Sequence, residues 1–311
     1  MKVALALSCL ALAVPVHAQT FPASEAFRSE LDAVPEMSVV SDTIAVADVA
    51  LGFISAVSAD RAGNLYVLHR PENGDPVVRL DSSGRFVLSW GEGLFDTPHG
   101  IRVDAEGNVW TVDAKTSVVQ KFTSSGVLLH SVRLHVPRFP RPFCGATDVA
   151  FGTDGSVFLT DGYCNGRIVK LDSTASQVDE WGASGSGQGQ FFIPHGIAVG
   201  PDGRVLVADR NNSRIQVFDQ SGRWLSTWRY AGMVSSVAVS PAGTVYASIV
   251  LDPGWTEGYV VQIDPEDGQM LARVAVVAHE LAIGPDGAIL PAVENVVLRL
   301  RPDPVGRPGD P

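Results

Sequence analysis

The chain has 311 residues, a formal net charge of −11 and three cysteines. Its acidic balance argues against nucleic acid and anionic membranes as partners. A chain of this length can bury a large core in one or two domains.

The first residues carry the pattern of an export signal. The stretch MKVALALSCLALAVPVHAQT has one early charge, Lys2, and then an apolar run that ends near the small residue Ala18. This pattern predicts a cleaved signal peptide at residues 1–18 and a secreted or periplasmic protein. A transmembrane anchor is the competing interpretation, but the run is shorter than a bilayer-spanning helix requires. Residues 19–41 are expected to form an N-terminal extension.

A repeat follows in which a tight glycine turn joins two strands. The turn glycines of its six copies are Gly63, Gly107, Gly155, Gly203, Gly243 and Gly287. Their spacing of 40 to 48 residues matches one four-stranded propeller blade. The sequence therefore predicts an all-β fold, a six-bladed β-propeller.

The sixth repeat has no fourth strand before the chain enters its Pro- and Gly-rich end. The extended segment 42–51, DTIAVADVAL, is predicted to supply that strand, which would close the ring and hide its edges. The propeller is expected to span residues 42–301, and residues 302–311 are expected to be a disordered tail.

The position eight residues before each turn glycine, here called the register position, alternates between two chemistries. In repeats two, four and six it holds histidine, namely His99, His195 and His279. In repeats one, three and five it holds a small hydroxyl residue, namely Ser55, Thr147 and Ser235. Alternate blades of a six-bladed ring are about 120° apart. The three imidazoles are therefore predicted to converge at one mouth of the central channel.

Three converging neutral imidazoles are typical of a zinc site with an open fourth position. The alternative interpretation is a set of channel-lining histidines that are hydrogen-bonded to water. Because all three share one register, we predict that His99, His195 and His279 bind zinc.

The strand after each turn returns to the same mouth, so residues seven or eight after the glycine are expected near the histidines. Those positions hold Arg70, Tyr163 and Arg210. Arginine is suited to binding a carboxylate. A phenol beside a divalent cation and two guanidinium groups should have a lowered pKa and could act as a base. The alternative is that the arginines form surface ion pairs and the tyrosine packs.

Two cysteines flank the inner strands of the third repeat. Cys144 precedes the first of these strands and Cys164 follows the second, so both are expected near the mouth that carries the histidines. In an exported protein a disulfide is the default, and it would fix the loop that carries Tyr163. An unbridged pair is the alternative.

Three stretches resemble the peptidylglycine α-amidating lyase family. They are PFCGATDVAFGTDGSVFLTDGYCNGRIVKL, GQFFIPHGIAVGPDGRVLVADRNNSRIQVF and TPHGIRVDAEGNVWTVDA. The likeness covers about residues 50–300 and is strongest over 97–218. It implies a six-bladed propeller of NHL-type repeats. It also implies the activity of a peptidylamidoglycolate lyase, which cleaves peptidyl-α-hydroxyglycine into a peptide amide and glyoxylate.

The resemblance implies site residues as well. It assigns zinc to His99, His195 and His279, catalysis to Tyr163, Arg70 and Arg210, and a disulfide to Cys144 and Cys164. It further implies a structural calcium in the channel, held by the main-chain carbonyls of Val57 and Ile101 and by a carboxylate after the third histidine. The family has aspartate at that last position and this chain has Glu280, a longer carboxylate that can still bind calcium.

The expected partner is a small peptide or acyl-α-hydroxyglycine substrate, and a monomer is expected. Two other classes of function stay open. One is a non-catalytic NHL propeller that binds protein or a polymer and holds no metal. The other is a metal-dependent propeller hydrolase such as a lactonase, which typically binds its metal through Glu, Asn and Asp, a set that the register positions do not hold.

Overall fold

The computed structural model describes residues 25–44, 46, 49–134 and 144–302. These residues form six four-stranded sheets, so the predicted six-bladed β-propeller is confirmed. The predicted signal peptide and residues 303–311 of the predicted tail 302–311 lie outside the described residues, whereas Pro302 ends the last strand of the propeller. Within the described residues, no helix is long and apolar enough to cross a bilayer.

The element order is one helix followed by strands. The N-terminal part contains α1 (Glu25–Asp32) and β1 (Val39–Ile44). Blade 1 contains β2 (Phe53–Ala59), β3 (Leu65–Arg70), β4 (Val77–Leu80) and β5 (Phe86–Trp90). Blade 2 contains β6 (Pro98–Val103), β7 (Val109–Asp113), β8 (Val118–Phe122) and β9 (Leu128–Arg133). Blade 3 contains β10 (Asp148–Phe151), β11 (Val157–Asp161), β12 (Arg167–Leu171) and β13 (Gln177–Trp181).

The remaining blades follow the same order. A short parallel pair, β14 (Ala183–Ser184) and β15 (Gln190–Phe191), lies between blades 3 and 4. Blade 4 contains β16 (Pro194–Val199), β17 (Val205–Asp209), β18 (Arg214–Phe218) and β19 (Trp224–Arg229), with a 3-10 turn at Arg210–Asn212. Blade 5 contains β20 (Met233–Val239), β21 (Val245–Val250), β22 (Gly258–Ile263) and β23 (Met270–Val274). Blade 6 contains β24 (Leu281–Ile283), β25 (Ile289–Val293) and β26 (Val296–Pro302), to which β1 is added.

The six hairpins that begin the blades share one register. In each, the residue four before the turn glycine pairs with the residue two after it, as in Val103 with Val109 and Val199 with Val205. All six turn glycines have a positive φ, between 79° and 87°. This left-handed conformation carries no steric penalty for glycine, which explains why the turn selects it.

The N-terminal strand closes the ring, as predicted. It is β1, which pairs antiparallel with β26 from Val39 opposite Pro302 to Ile44 opposite Val297. The pairing therefore begins earlier than the segment 42–51 suggests. The reason is that apolar residues further along this segment, Val49 and Leu51 among them, pack against the core between blades 6 and 1 instead of pairing.

The core is divided among the blade interfaces. Six apolar clusters lie between successive blades, and each contains mainly Val, Ile, Leu and Ala from the two facing sheets. Leu31 of α1 joins the cluster between blades 4 and 5. After the helix, Pro35 and Met37 exchange backbone hydrogen bonds with Arg273 of β23 and so cover the outer edge of blade 5.

Candidate metal centre and cavity

The three register histidines meet at the channel mouth. Each of His99, His195 and His279 offers one ring nitrogen, and these nitrogens all lie within 4.8 Å of one another. The ring centroids are 4.7 to 4.9 Å apart. Histidines that are 84 to 180 residues apart in the chain therefore form one cluster, which we call the histidine tripod.

Each of the three tripod rings makes an equivalent hydrogen bond through Nδ1. The Nδ1 atom of His99 lies 2.7 Å from the carbonyl of Thr147, that of His195 2.7 Å from Ser235, and that of His279 2.7 Å from Ser55. The acceptor is each time the register residue of the next blade. A carbonyl accepts only, so each Nδ1 carries the proton and each Nε2 keeps a lone pair. A second partner that fixes the tautomer in this way is typical of metal-binding histidines.

A β-bulge orients the histidines in blades 2 and 4. The pairing of β6 with β7 skips from Pro98 to Gly100, and that of β16 with β17 skips from Pro194 to Gly196, so His99 and His195 are the extra residues. Bulges are common next to active sites because they re-aim one side chain. The sequence analysis found the register but not the bulge, since an extra residue leaves no periodic signal of its own.

The glycine after each of these histidines allows close blade contact. A Cβ at Gly100 would lie 2.8 Å from the carbonyl oxygen of Thr147, and one at Gly196 would lie 2.8 Å from Cα of Ser236. The bare backbone lets each inner strand approach the next blade closely enough for the Nδ1 hydrogen bond. This contact explains the glycine that follows the histidine in both PHGI segments, 98–101 and 194–197.

The tripod is electrostatically suited to a cation. Burial lowers the pKa of all three histidines well below 6.5, and in His99 and His279 the neighbouring tripod histidines lower it further. In His195 the second cause is the charge of Arg210. The rings are therefore neutral at pH 7 and their Nε2 lone pairs are free of protons. Three neutral imidazole nitrogens fit zinc.

Tyr163 lies directly against the tripod. Its phenol oxygen is 2.8 Å from Nε2 of His99 and 3.3 Å from Nε2 of His195. The predicted disulfide between Cys144 and Cys164 is present, and the amide of Tyr163 donates to the carbonyl of Gly145. The bridge and this bond fix the loop that carries the phenol.

The two predicted arginines flank the phenol. The guanidinium of Arg210 lies 5.7 Å from the ring centroid of Tyr163 and hydrogen-bonds its hydroxyl. Arg70 donates its Nε to the carbonyl of Pro98, the residue before His99, and its guanidinium lies over the ring of Phe53. The structure thus brings together the six residues for which the sequence predicts zinc binding or catalysis.

The two arginines alone do not lower the pKa of Tyr163. Burial raises the pKa of Tyr163, and the opposing effect of Arg210 and Arg70 does not overcome it. The predicted lowering depends on a bound divalent cation as well as on the two guanidinium groups, so it stays a prediction. The arginines alone are therefore insufficient, because desolvation of a buried phenolate costs more than they return.

The tripod and the arginines open into a cavity of about 1100 Å³. Its lining has a polar part, Arg70, Arg210 and Tyr163, and an apolar part, here called the apolar wall, that includes Phe53, Trp255, Val276, Val277 and Val293. The sequence pattern does not predict this apolar wall. Phe53 begins β2 of blade 1 and Val293 ends β25, while Trp255, Val276 and Val277 lie in loops that no register relates to the histidines.

Trp255 is a residue of the apolar wall that contacts the tripod and lies in a hydrogen-bonded loop. Its indole lies 5.7 Å from the ring of His279, and its backbone has a positive φ of 58°. The loop is fixed by Asp252, whose carboxylate accepts hydrogen bonds from the amides of Gly254, Thr256 and Glu257. The strained backbone of a bulky residue therefore positions this indole beside the tripod.

The residues implied for calcium lie deeper in the channel. Val57 is in β2 opposite Val67, and both the carbonyl of Ile101 and the carboxylate of Glu280 contact the guanidinium of Arg102. Glu280 and the nearby Asp148 are fully buried, and burial raises the pKa of each to about 8 against the opposing charge of Arg102. The guanidinium occupies the carbonyl of Ile101 and Oε2 of Glu280 and leaves only Oε1 of this carboxylate without a hydrogen-bond partner, so these residues do not fit a calcium ion, which binds six to eight oxygens.

Comparison with known proteins agrees with this geometry. The NHL repeat family matches residues 193–218. A rat protein named peptidylglycine alpha-amidating monooxygenase is 34% identical over 200 residues, which are 54% of this chain and 20% of the rat protein. A Drosophila melanogaster protein named peptidyl-alpha-hydroxyglycine alpha-amidating lyase 1 is 31% identical over 246 residues, 66% of this chain and 46% of the fly protein.

The solved structures confirm the fold. A streptogramin B lyase structure superposes with a TM-score of 0.62 at 14% identity, covering 85% of this chain and 98% of the other. The chain spans about a fifth of the length of the rat protein and under half of the fly protein. The resemblance predicted from the sequence is confirmed: the chain is related to proteins named peptidyl-α-hydroxyglycine α-amidating lyases.

Proposed function

We propose that this chain is a zinc-dependent lyase that cleaves the N–Cα bond of a peptidyl- or acyl-α-hydroxyglycine and releases an amide and glyoxylate. The observation that supports this most directly is the histidine tripod with a phenol 2.8 Å from one Nε2. A non-catalytic propeller that only binds protein or a polymer does not require three imidazoles whose tautomers are fixed in one open cavity. The names of the relatives point to the same reaction.

The tripod would hold the zinc through the three Nε2 atoms. When bound, zinc supplies Lewis-acid polarisation of a substrate oxygen and makes the substrate hydroxyl more acidic. The protein contributes the preformed donor set, because each Nδ1 is already committed to a carbonyl.

The polar and the apolar residues of the cavity lining bind different parts of the substrate and so orient it. The carboxylate of the substrate would bind to Arg70. Nε of this arginine donates to the carbonyl of Pro98, and its side chain lines the cavity. The acyl or peptide part of the substrate suits the apolar wall around Trp255 and Val277. This orientation places the hydroxyl-bearing carbon between the arginines and the tripod.

The reaction is a rearrangement of bonds in which no electrons enter or leave. Tyr163 accepts the hydroxyl proton, the O–H electrons form the carbonyl of glyoxylate, and the C–N electrons pass to the amide nitrogen. That nitrogen takes up the proton that Tyr163 accepted, so the phenolate is regenerated and the protons balance. Arg70 stabilises the negative charge that develops next to the carboxylate, and Arg210 positions the phenol, over which its guanidinium lies.

Metal analysis and a glyoxylate-release assay test the proposal. We expect one zinc per chain and glyoxylate release from α-hydroxyhippurate. Changing His195→Ala should remove both, whereas the control His130→Ala alters an exposed residue of β9 and should change neither. Absence of both bound metal and glyoxylate release would instead support the non-catalytic propeller, whereas bound metal that His195→Ala retains, without glyoxylate release, would support a hydrolase that uses other ligands.

We also propose that the chain is exported and acts as a monomer. The disulfide between Cys144 and Cys164 supports an oxidising compartment. Cell fractionation and size-exclusion chromatography of the mature protein test the two statements. A cytosolic protein with reduced cysteines would contradict the first, and a stable dimer would contradict the second.

A further inference from the structure

A single arginine occupies the channel below the tripod. The third residue after each register position is small in five blades, namely Ser58, Ala150, Ala198, Ala238 and Ala282. In blade 2 the equivalent residue is Arg102. All six line a cavity of about 230 Å³ in the channel. The five small side chains leave the room that one long side chain uses.

The guanidinium of Arg102 joins groups from three blades. It donates to the carbonyl of Ile101 at 3.0 Å, to Oδ2 of Asp148 at 2.7 Å and to Oε2 of Glu280 at 3.3 Å. Both carboxylates are fully buried, where a lost counter-charge is costly.

The two carboxylates extend this network to blades 4 and 5. The hydroxyl of Ser236 donates to Oε2 of Glu280 at 2.8 Å, and the amide of Ile197 donates to Oδ2 of Asp148 at 3.2 Å. Five of the six blades therefore meet around one positive charge.

The same oxygens are those that a calcium ion would need. The resemblance implies calcium ligands at the carbonyl of Ile101 and at the acidic residue after the third histidine, and Arg102 contacts both. Calcium binds six to eight oxygens at about 2.3–2.6 Å. A guanidinium within hydrogen-bonding distance of these oxygens excludes such an ion by space and by charge.

We propose that Arg102 is an internal cation that takes the place of calcium in the channel, so that this propeller is stable without calcium. Its effect reaches the tripod through Glu280, which follows His279 in the chain and whose Oε1 lies 3.2 Å from Nδ1 of His195. The statement concerns stability and ion binding and does not depend on the proposed reaction.

Thermal unfolding with and without calcium tests this proposal. For the unaltered protein we expect the same Tm in EGTA and in millimolar calcium, and no calcium binding by isothermal titration calorimetry. Arg102→Ala should lower the Tm in EGTA by about 10 °C, since it leaves two buried carboxylates without their partner. Calcium, but not an equal concentration of magnesium, should restore most of this loss.

Two further variants keep the test decisive. Arg102→Lys retains the charge and should remain insensitive to calcium. Arg204→Ala removes a half-buried arginine paired with Asp202 at the blade surface and should show no calcium effect. The proposal is overturned if calcium raises the Tm of the unaltered protein, or if calcium leaves Arg102→Ala unchanged. Should Arg102→Ala fail to fold in EGTA, its recovery by refolding in calcium supports the proposal and continued misfolding overturns it.

Discussion

The phenol oxygen of Tyr163 lies 2.8 Å from Nε2 of His99, although the two residues are 64 positions apart in the chain. Because Nδ1 of His99 donates to a carbonyl, Nε2 is an acceptor and the phenol donates to it. A substrate oxygen that approaches the tripod therefore comes within reach of the phenol. In the metal-free site the phenol is therefore protonated, and it lies close enough to the tripod to exchange a proton with a substrate oxygen once it is deprotonated.

Removal of the phenol oxygen should abolish turnover but leave the metal in place. We expect Tyr163→Phe to lower kcat by about 10²–10⁴-fold, the usual contribution of a positioned acid or base. Zinc content should stay the same, because the three Nδ1 bonds do not involve this residue. The control is Tyr259→Phe, which alters a phenol of blade 5 that stacks with Arg273. Unchanged turnover of Tyr163→Phe would remove the base from the scheme.

The pKa of this phenol should depend on the metal. Burial raises it in the metal-free chain, so an ultraviolet titration should show no phenolate from Tyr163 below about pH 10. Addition of zinc should bring one phenol into titration at a lower pH, since a nearby cation favours the charged form. The difference should vanish in Tyr163→Phe. A metal-independent titration curve would contradict a catalytic phenolate.

The register made much of this site predictable from the sequence. Counting from the turn glycine placed Ser55, His99 and four other residues at one mouth, because the blades repeat one hairpin register. The same count found Arg70, Tyr163 and Arg210 on the returning strands. Histidine spacing of this kind follows from topology and requires no knowledge of individual contacts.

Features that depend on three-dimensional contacts could not be predicted by counting residues from the turn glycine. Trp255 of the apolar wall lies in a loop whose conformation depends on hydrogen bonds from backbone amides to the carboxylate of Asp252. The count makes no prediction for Arg102, whose side chain turns into the channel because small residues surround it. The raised pKa of Tyr163 reflects burial, and the position of a residue in the repeat does not measure burial.

Zinc binding should resist mild acid. Three histidines with ordinary pKa values near 6.5 would lose zinc affinity by about 50-fold between about pH 7.5 and pH 6, because protons compete for the nitrogens. The tripod histidines have pKa values well below 6.5, so the affinity should stay nearly constant over this interval. Competition with a chromophoric chelator at each pH measures it. A 50-fold decline would show that the rings are protonated like exposed histidines.

The close contact of Gly196 with the next blade should be necessary for metal affinity. In Gly196→Ala the added Cβ would lie 2.8 Å from Cα of Ser236, and the two strands would have to separate. The bond from Nδ1 of His195 to Ser235 would lengthen. We expect zinc affinity to fall about 10- to 100-fold, as is usual when the partner of a ligand is disturbed.

The matched control for that variant is Gly187→Ala. Its Cβ would meet the end of the flexible side chain of Gln190 at 2.9 Å, on an exposed turn, so zinc affinity should be unchanged. Equal affinity in both variants would show that the approach of blades 4 and 5 has no role in holding the tripod.

The apolar wall should determine preference among acyl groups. The indole of Trp255 lies in the cavity at 5.7 Å from the ring of His279. Removing it in Trp255→Ala should raise KM for α-hydroxyhippurate, whose acyl group is aromatic, by about 10-fold or more, because an aromatic contact and its burial are lost. KM for the acetyl analogue should change little, since the small acyl group covers little of the wall. The control Trp224→Ala removes an indole of β19 that donates to Thr227 and should affect neither substrate. An equal rise for both substrates would place the effect of Trp255 on the tripod itself, through His279, and not on recognition of the acyl group.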